Sequence, residues 1–342
     1  MASALSISII LCTRNRASSL EQALAALGNV TVSPDWKVEV IVVDNASTDN
    51  TAAMVQMVRL KKMEVRYSFE SKKGRANALN TGLAQAQGEI ILFTDDDAFV
   101  AEDWLEQIIS PLMDGKCDAV TGQIMLAPQL LRPWMTPMHR WWLASSQDAQ
   151  MHEGTRELIG ANMGFRRSVL KRVSAFDPEL GPGARGFGED TLFGWQLVEA
   201  GFKIAYSPKA AITHHLDATR LRRFYWIEDA RKRGRTDAYL AYHWEHVDIK
   251  NPRLLWLLLW LKLWVKRILQ PSPKLQDEGC PRWEMGYIWR IEFCKQFCLD
   301  RRQPRNYSRR GLTKHGLSQN VFPDGVAKNL HDFAKQDERH TG

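Results

Sequence analysis

Three consecutive aspartates, Asp95, Asp96 and Asp97, follow directly on the apolar run 89–94 (EIILFT). Adjacent carboxylates repel one another, so such a cluster is stable only when it is solvated, protonated or bridged by a cation. Oxygen ligands of this kind suit Mg²⁺ or Mn²⁺, which take one or two protein carboxylates and complete their shell with substrate phosphates and water. An isolated Asp-Asp-Asp is an acidic turn; one that ends a buried strand is a candidate metal site. A second acid pair, Glu189 and Asp190, stands in Gly186-Phe187-Gly188-Glu189-Asp190-Thr191 at the head of the helical pattern 192–200. The pair either caps that helix and complements its dipole, or supplies a general base for an attacking hydroxyl.

Periodicity predicts the elements that position these acids. Residues 5–12 (LSISIILC) and 38–43 (VEVIVV) are short runs rich in Ile and Val, as expected of parallel strands buried on both faces. Between them, 16–27 carries Leu20, Ala23, Leu24 and Leu27 at helical spacing, and the polar stretch 45–51 caps a further helix over 51–62. Strand 65–69, helix 74–87 and strand 89–94 continue the alternation, which predicts a doubly wound α/β sheet. Ligands of such sheets bind beyond the carboxyl ends of the strands, where this sequence puts Thr13, Asp44 and Asp95. The pattern lapses over 128–157, where Pro128, Pro133 and Pro137 stand among Trp134, Trp141 and Trp142, and a mobile or substrate-covering segment is expected there. It resumes at Leu158, and a strand over 205–213 is closed by His214 and His215.

With 342 residues, 44% of them hydrophobic and 25% charged, the chain has the composition of a folded protein with one large core or two modest ones. A net charge of +7 favours an anionic partner; a nucleotide diphosphate, an acidic membrane surface and a nucleic acid would each satisfy it. The basic residues lie outside any recognisable nucleic-acid module, so no nucleic acid is expected. Five cysteines, odd in number and without a C-x-x-C pair, predict neither a disulfide framework nor a zinc site and fit a reducing cytosol. The apolar start 5–11 lacks a basic n-region and reads as a buried strand rather than a signal peptide.

Five segments resemble glycosyltransferase family 2, whose fold is GT-A, in order as well as in kind. They are Cys12-Thr13-Arg14-Asn15-Arg16, Val42-Val43-Asp44-Asn45-Ala46-Ser47-Thr48-Asp49, Lys73-Gly74-Arg75 with Ala78-Leu79-Asn80-Thr81-Gly82, Phe93-Thr94-Asp95-Asp96-Asp97, and Gly188-Glu189-Asp190. The resemblance spans residues 5–215 and implies a Rossmann-like, mostly parallel central sheet flanked by helices. It also implies an inverting enzyme with a nucleotide-sugar donor. By position it assigns donor binding to Thr13, Arg14, Asp44, Arg75, Asp95, Asp96, Gly160 and Asn162, with Asp44 accepting a hydrogen bond from the base and Asp96 near the ribose. It assigns the metal, Mn²⁺ or Mg²⁺, to Asp97 and Asp95, and catalysis to Asp190 as base with Glu189 in support. Gly160 and Asn162, within 159–165 (IGANMGF), fall in the family's stretch between donor and acceptor, where small residues allow close backbone approach; a buried turn explains the same residues. Related GT-A enzymes often complete the metal shell with a histidine, for which His214 and His215 both qualify and His215 is taken.

The resemblance implies transfer of a single sugar, from a UDP-sugar by analogy, to a saccharide or lipid-linked acceptor in bacterial cell-surface polysaccharide assembly. The polymerising members' Gln-x-x-Arg-Trp is absent after Glu189-Asp190, and the pair Arg140-Trp141 precedes the acids. Two alternatives stay open: a transferase that loads a sugar onto polyprenyl phosphate, and a non-catalytic glycan-binding protein on a GT-A scaffold.

Beyond 216 the alternation stops, dividing the chain into a catalytic domain 1–216 and a helical, basic and aromatic region 217–342. There Arg220, Arg222, Arg223, Arg231, Lys232, Arg233 and Arg235 form either a solvated face or a set of phosphate-binding guanidinium groups. Residues 254–269 (LLWLLLWLKLWVKRIL) contain too short an apolar run to cross a bilayer, which needs ~20 residues. Lys262, Lys266 and Arg267 form a polar edge and Trp256, Trp260 and Trp264 an aromatic stripe, as in a membrane-surface helix; the alternative is docking on the catalytic domain. The expected location is cytoplasmic, peripheral on the inner membrane.

Overall fold

The first strand, β1 (Leu5–Thr13), sends alternate side chains into two different cores: Ile7, Ile9 and Leu11 into one, Ile10 into the other. A strand buried on both faces must be covered by helices on both faces, and the rest of the sequence supplies them. The computed structural model describes residues 4–148, 155–173 and 175–316. On one face α1 (Ala17–Gly28), α2 (Thr51–Met57) and α4 (Trp104–Met113) pack through Leu20, Leu24, Met54, Trp104 and Ile108. On the other, α3 (Arg75–Gln85) and α6 (Glu189–Glu199) pack through Leu79, Leu83, Phe193 and Leu197.

The remaining strands are β2 (Trp36–Asp44), β3 (Glu64–Phe69), β4 (Ile90–Asp95), β5 (Ala98–Val100), β6 (Ala119–Leu126), β7 (Asn162–Arg166) and β8 (Ile204–His214). They form one eight-stranded sheet in the order β3-β2-β1-β4-β7-β6-β8-β5. Strands β3, β2, β1 and β4 run parallel, β7 is antiparallel to both its neighbours, and β5 is antiparallel to β8. Register fixes the site: Thr13 lies opposite Asp44, and Cys12 opposite Asp95, so three carboxyl ends meet at one edge.

Two expectations change in detail. The helix expected over 51–62 stops at Met57, because Val58 turns extended (ψ 134°) and Leu60 reaches back to the end of α1 beside Gly28. Within 128–157 there is a short helix, α5 (Pro137–Trp142), followed by Leu143 and Ala144 on the wall of a cleft; residues 149–154 lie outside the described residues.

Three helices follow the sheet: α7 (Arg223–Tyr239), α8 (Pro252–Leu269) and α9 (Arg282–Asp300). They share a core with the end of β6 and the segment after it, where Leu126, Leu130, Met135 and Leu143 meet Trp226, Leu259, Leu263, Met285 and Ile288. The buried Arg223 and the half-exposed Arg267 both pair with the fully buried Glu284, tying α7 and α8 to α9.

Candidate active site

A cleft of about 460 Å³ opens at the carboxyl edge of β1 and β4. Cys12, Thr13, Arg14, Arg16, Arg75, Asp95, Asp96, Asp97, Gly160, Glu189, Asp190 and His214 all line it. Strand ends, the start of α3 and the start of α6 therefore bring together acids that are far apart in sequence.

The aspartate triplet separates into three environments. Asp95 faces the cleft and takes Arg75 Nη2 at 2.5 Å. Asp96 turns inward, accepting from Thr13 Oγ1 at 2.7 Å and from Arg16 Nη1 at 2.9 Å. Asp97 accepts from Arg16 Nη1 at 2.8 Å and meets His214 Nε2 at 3.0 Å. Burial, reinforced by the neighbouring Asp97, pushes the Asp96 carboxyl up to about 6. Burial pushes Asp97 the same way, but the hydrogen bond and charge of His214, then Arg16, hold it down at about 2.

His214 illustrates how strand alternation settles a choice that the sequence leaves open. Successive side chains of a strand point to opposite faces. The pairing of Ala98 with His214 and the 2.7 Å bond from His215 N to Asp97 O fix the register. His214 then points at Asp97, whereas His215 stacks on Phe99 with ring centroids 4.0 Å apart. Ligand atoms of Asp95, Asp97 and His214 all lie within 4.8 Å of one another. The assignment of His215 to the metal is thus corrected to His214 on geometry.

Two carboxylates and an imidazole form a donor set that fits a divalent cation such as Mn²⁺ or Mg²⁺. His214 Nδ1 faces the Leu143 carbonyl at 3.2 Å, which holds the proton on that nitrogen and leaves Nε2 for a cation. Burial lowers the affinity of His214 for its second proton, but the bond to Asp97 outweighs it and the net shift is upward. Proton and metal therefore compete for Nε2.

Arg75 is the central cation. Gly74, at φ +128°, opens α3; its N–H donates to Asn45 Oδ1 at 2.9 Å, and Arg75 N donates to the Pro182 carbonyl at 2.8 Å. The guanidinium so placed spans Asp95 and Glu189, the latter at 2.7 Å. Burial and then Asp190 push the Glu189 carboxyl up to about 7 against the pull of Arg75. Asp190, half-buried, keeps its face to the cleft; Gly160 N and Thr191 N each donate to it at 2.7 Å. A Cβ on Gly160 would stand 2.6 Å from Arg75 Nη1 and 3.1 Å from Asp190 Oδ2, so the residue is glycine because the backbone must lie against both groups.

Two assigned donor residues lie elsewhere. Asn162 is fully buried: its Nδ2 donates to the carbonyls of Gln123 and Ala210 at 2.9 and 2.7 Å, and its Oδ1 accepts from Trp104 Nε1 at 2.8 Å. It clamps β6 to β8 at a bulge where Gly122 makes room, so its amide is committed to the sheet and cannot reach a donor. Asp44 sits behind the cleft wall, accepting from Ser47 N at 2.8 Å and Tyr67 Oη at 3.0 Å, while its neighbour Asn45 lines the cleft.

Other wall residues carry weak sequence signals or none. Trp141, Trp142 and Phe187 supply aromatic faces, and of the basic run only Arg220 and Arg233 reach the cleft. Arg220 pairs with Asp229 at 2.8 Å. Arg233 lies over Trp142 and Phe187 at 4.9 and 4.4 Å and donates to the Trp142 carbonyl at 3.2 Å. Its Nε has no partner among the described residues, and burial lowers the affinity of the guanidinium for its proton.

A Rossmann-like sheet carrying an acid-lined cleft at its carboxyl edge defines the GT-A class of glycosyltransferase fold. Residues 8–174 carry a glycosyltransferase family 2 domain: that family's model, Glycosyl transferase family 2, matches them. Among curated relatives, the poly-beta-1,6-N-acetyl-D-glucosamine synthase of Staphylococcus aureus is 26% identical over 208 residues, which is 60% of this chain and 48% of that protein. The probable glycosyltransferase YdaM of Bacillus subtilis is 25% identical over 270 residues, 73% of this chain and 60% of that one. The chain therefore spans about half the length of the synthase it matches. A mannosyltransferase of Pyrobaculum calidifontis, solved in complex with GDP-Man and Mn2+, shares the fold with a TM-score of 0.51 at 19% identity, over 96% of this chain and 79% of that one.

Proposed function

We propose that this chain moves one sugar at a time from a nucleotide-sugar, a UDP-sugar in the simplest case, to a saccharide or lipid-linked acceptor in cell-surface polysaccharide assembly, with inversion at the anomeric carbon. The observation that carries the reading is the division of labour between two acid sets on one cleft: Asp95, Asp97 and His214 beside Arg75 and Arg16, and Asp190 across the arginine from them. Thr13, Arg14 and the aspartate edge bind the donor. A divalent cation, when held by Asp95, Asp97 and His214, neutralises charge on the departing diphosphate.

Asp190 takes the proton of the acceptor hydroxyl as its oxygen bonds to the anomeric carbon, while the bond to the diphosphate oxygen breaks and its electron pair leaves with the nucleotide. Glu189 is unsuited to that task because it is buried and locked to Arg75; it positions the arginine instead. The catalytic domain 1–216 supplies this chemistry, and Arg220 and Arg233 of the region beyond it add to the cleft wall. The relative from S. aureus is named as a polymer synthase, and the solved mannosyltransferase holds GDP-Man with Mn2+, which supports both the reaction class and the metal. The five free cysteines fit action on the cytoplasmic side.

A second reading, transfer to polyprenyl phosphate, is favoured by Arg233, a cation on the cleft wall without a carboxylate partner among the described residues. Acceptor assays with a saccharide and with a polyprenyl phosphate separate the two. Asp190→Asn tests the base: transfer should fall by about 10²–10⁴ while nucleotide affinity stays unchanged. A variant as active as the wild type would remove Asp190 from that role.

A further inference from the structure

Helix α8 leaves one long apolar face uncovered. Eleven of the twenty exposed large apolar side chains among the described residues lie on its 18 residues, while Pro252, Leu259 and Leu263 are buried. At 100° per residue the exposed groups fall into order. Leu254, Leu257, Leu261, Val265 and Ile268 form the outermost line, opposite Leu259 and Leu263, and are 42–60% exposed. Trp260 and Trp264, 50% and 54% exposed, lie on one shoulder with Arg253; Lys262 lies on the other. Trp256 turns partly toward the core, so the stripe expected from the sequence is a shoulder and the leucines are the crest.

Charge selects the occupant. The helix contains no Asp or Glu, and two of its exposed cations, Arg253 and Lys262, flank the crest. The nearest buried acid, Glu284, is already taken by Arg223 and Arg267. A second copy docked face to face would therefore bring these cations together with no carboxylate between them. An anionic bilayer surface offers what the face lacks: negative headgroups for the flanking cations, an interfacial layer for the two tryptophans and hydrocarbon for the crest. Spanning is not indicated, since among the described residues no helix is long and apolar enough to cross a membrane.

We propose that α8 lies in the plane of an anionic lipid surface, crest inward, and holds the protein there. The ties from α8 through Glu284 to α7 then fix the orientation of Arg220 and Arg233, and so of the cleft, relative to that surface. The proposal stands on the helix alone and is independent of the reaction catalysed.

The test is co-sedimentation of the full chain with sucrose-loaded vesicles of phosphatidylcholine, with and without phosphatidylglycerol. The wild type should pellet with the anionic vesicles and much less with the neutral ones. The triple change Leu257→Asn, Leu261→Asn and Ile268→Asn removes three half-exposed crest groups, and should weaken partitioning at least about tenfold. Circular dichroism and thermal melting of the variant should match the wild type. Arg253→Gln with Lys262→Gln should weaken binding to anionic vesicles alone. A wild type that stays in the supernatant, or a triple variant that partitions equally, overturns the proposal. So does a lipid-free dimer that the triple variant dissociates, which would assign the face to a second copy.

Discussion

Replacing Arg75 by methionine keeps a long side chain and deletes the cation that lies 2.5 Å from Asp95 and 2.7 Å from Glu189. With Arg75 16% and Glu189 4% exposed, solvent screens this pair little. Stranding one charge of a buried pair costs about 3–5 kcal/mol, unless the charge is neutralised. Glu189 has that escape, because burial and Asp190 already hold it up at about 7, and removal of Arg75 moves it higher. A carboxyl raised in the native state loses stability for the fold as pH rises from its ordinary 4.5 through 7. Below pH 7 Glu189 is protonated with or without Arg75, so from that partner the arginine gains little more than a hydrogen bond, about 1 kcal/mol, beside its pair with Asp95. Above it, each pH unit adds about 1.4 kcal/mol to the cost until the variant's Glu189 also ionises. The loss of unfolding free energy is therefore expected to be larger at pH 8 than at pH 5.5, by about 1 kcal/mol. Urea unfolding followed by tryptophan fluorescence at the two pH values measures it. Arg75→Met combined with Glu189→Gln should erase the difference between them. Equal losses at both pH values, or a double variant no more stable at pH 8 than the single one, would refute the reasoning.

His214→Ala should abolish the Mn²⁺-dependent part of nucleotide binding while His215→Ala leaves it intact, by titration calorimetry; the reverse pattern would restore His215 to the site. Because Nε2 must shed the proton that Asp97 favours, Mn²⁺ affinity of the wild type should climb as pH rises above the ordinary imidazole value of 6.5. Gly160→Ala forces a methyl group to 2.6 Å from Arg75 and should cost at least about tenfold in transfer through displacement of that guanidinium. Wild-type activity in that variant would show that Arg75 has room to move.

The sheet was legible because β1, β2 and β4 are buried on both faces and so read as short runs rich in Ile, Val and Leu. The ends of those runs announced Thr13, Asp44 and Asp95, which register then brings side by side. What escaped the sequence depends on partners distant in the chain. The choice of His214 over His215 rests on the pairing of β5 with β8, and Asn162 looked like a ligand group until its amide was found clamping two strands. Arg16 stood in the first matched segment without a role, yet it bridges Asp96 and Asp97. The Trp141–Ala144 wall follows a proline-rich stretch whose local pattern has no period, and only docking against the helical region gives it shape.

The central claim is that the aspartate edge binds a nucleotide through a divalent metal. Thermal unfolding with UDP, GDP, dTDP and CMP, each with and without Mn²⁺, tests it most directly, alongside Asp97→Asn. One nucleotide should stabilise the wild type in the presence of Mn²⁺, by about 2.7 kcal/mol at a hundredfold excess over its Kd, and that gain should vanish in Asp97→Asn. Stabilisation by none of the four, in either condition, would contradict the claim.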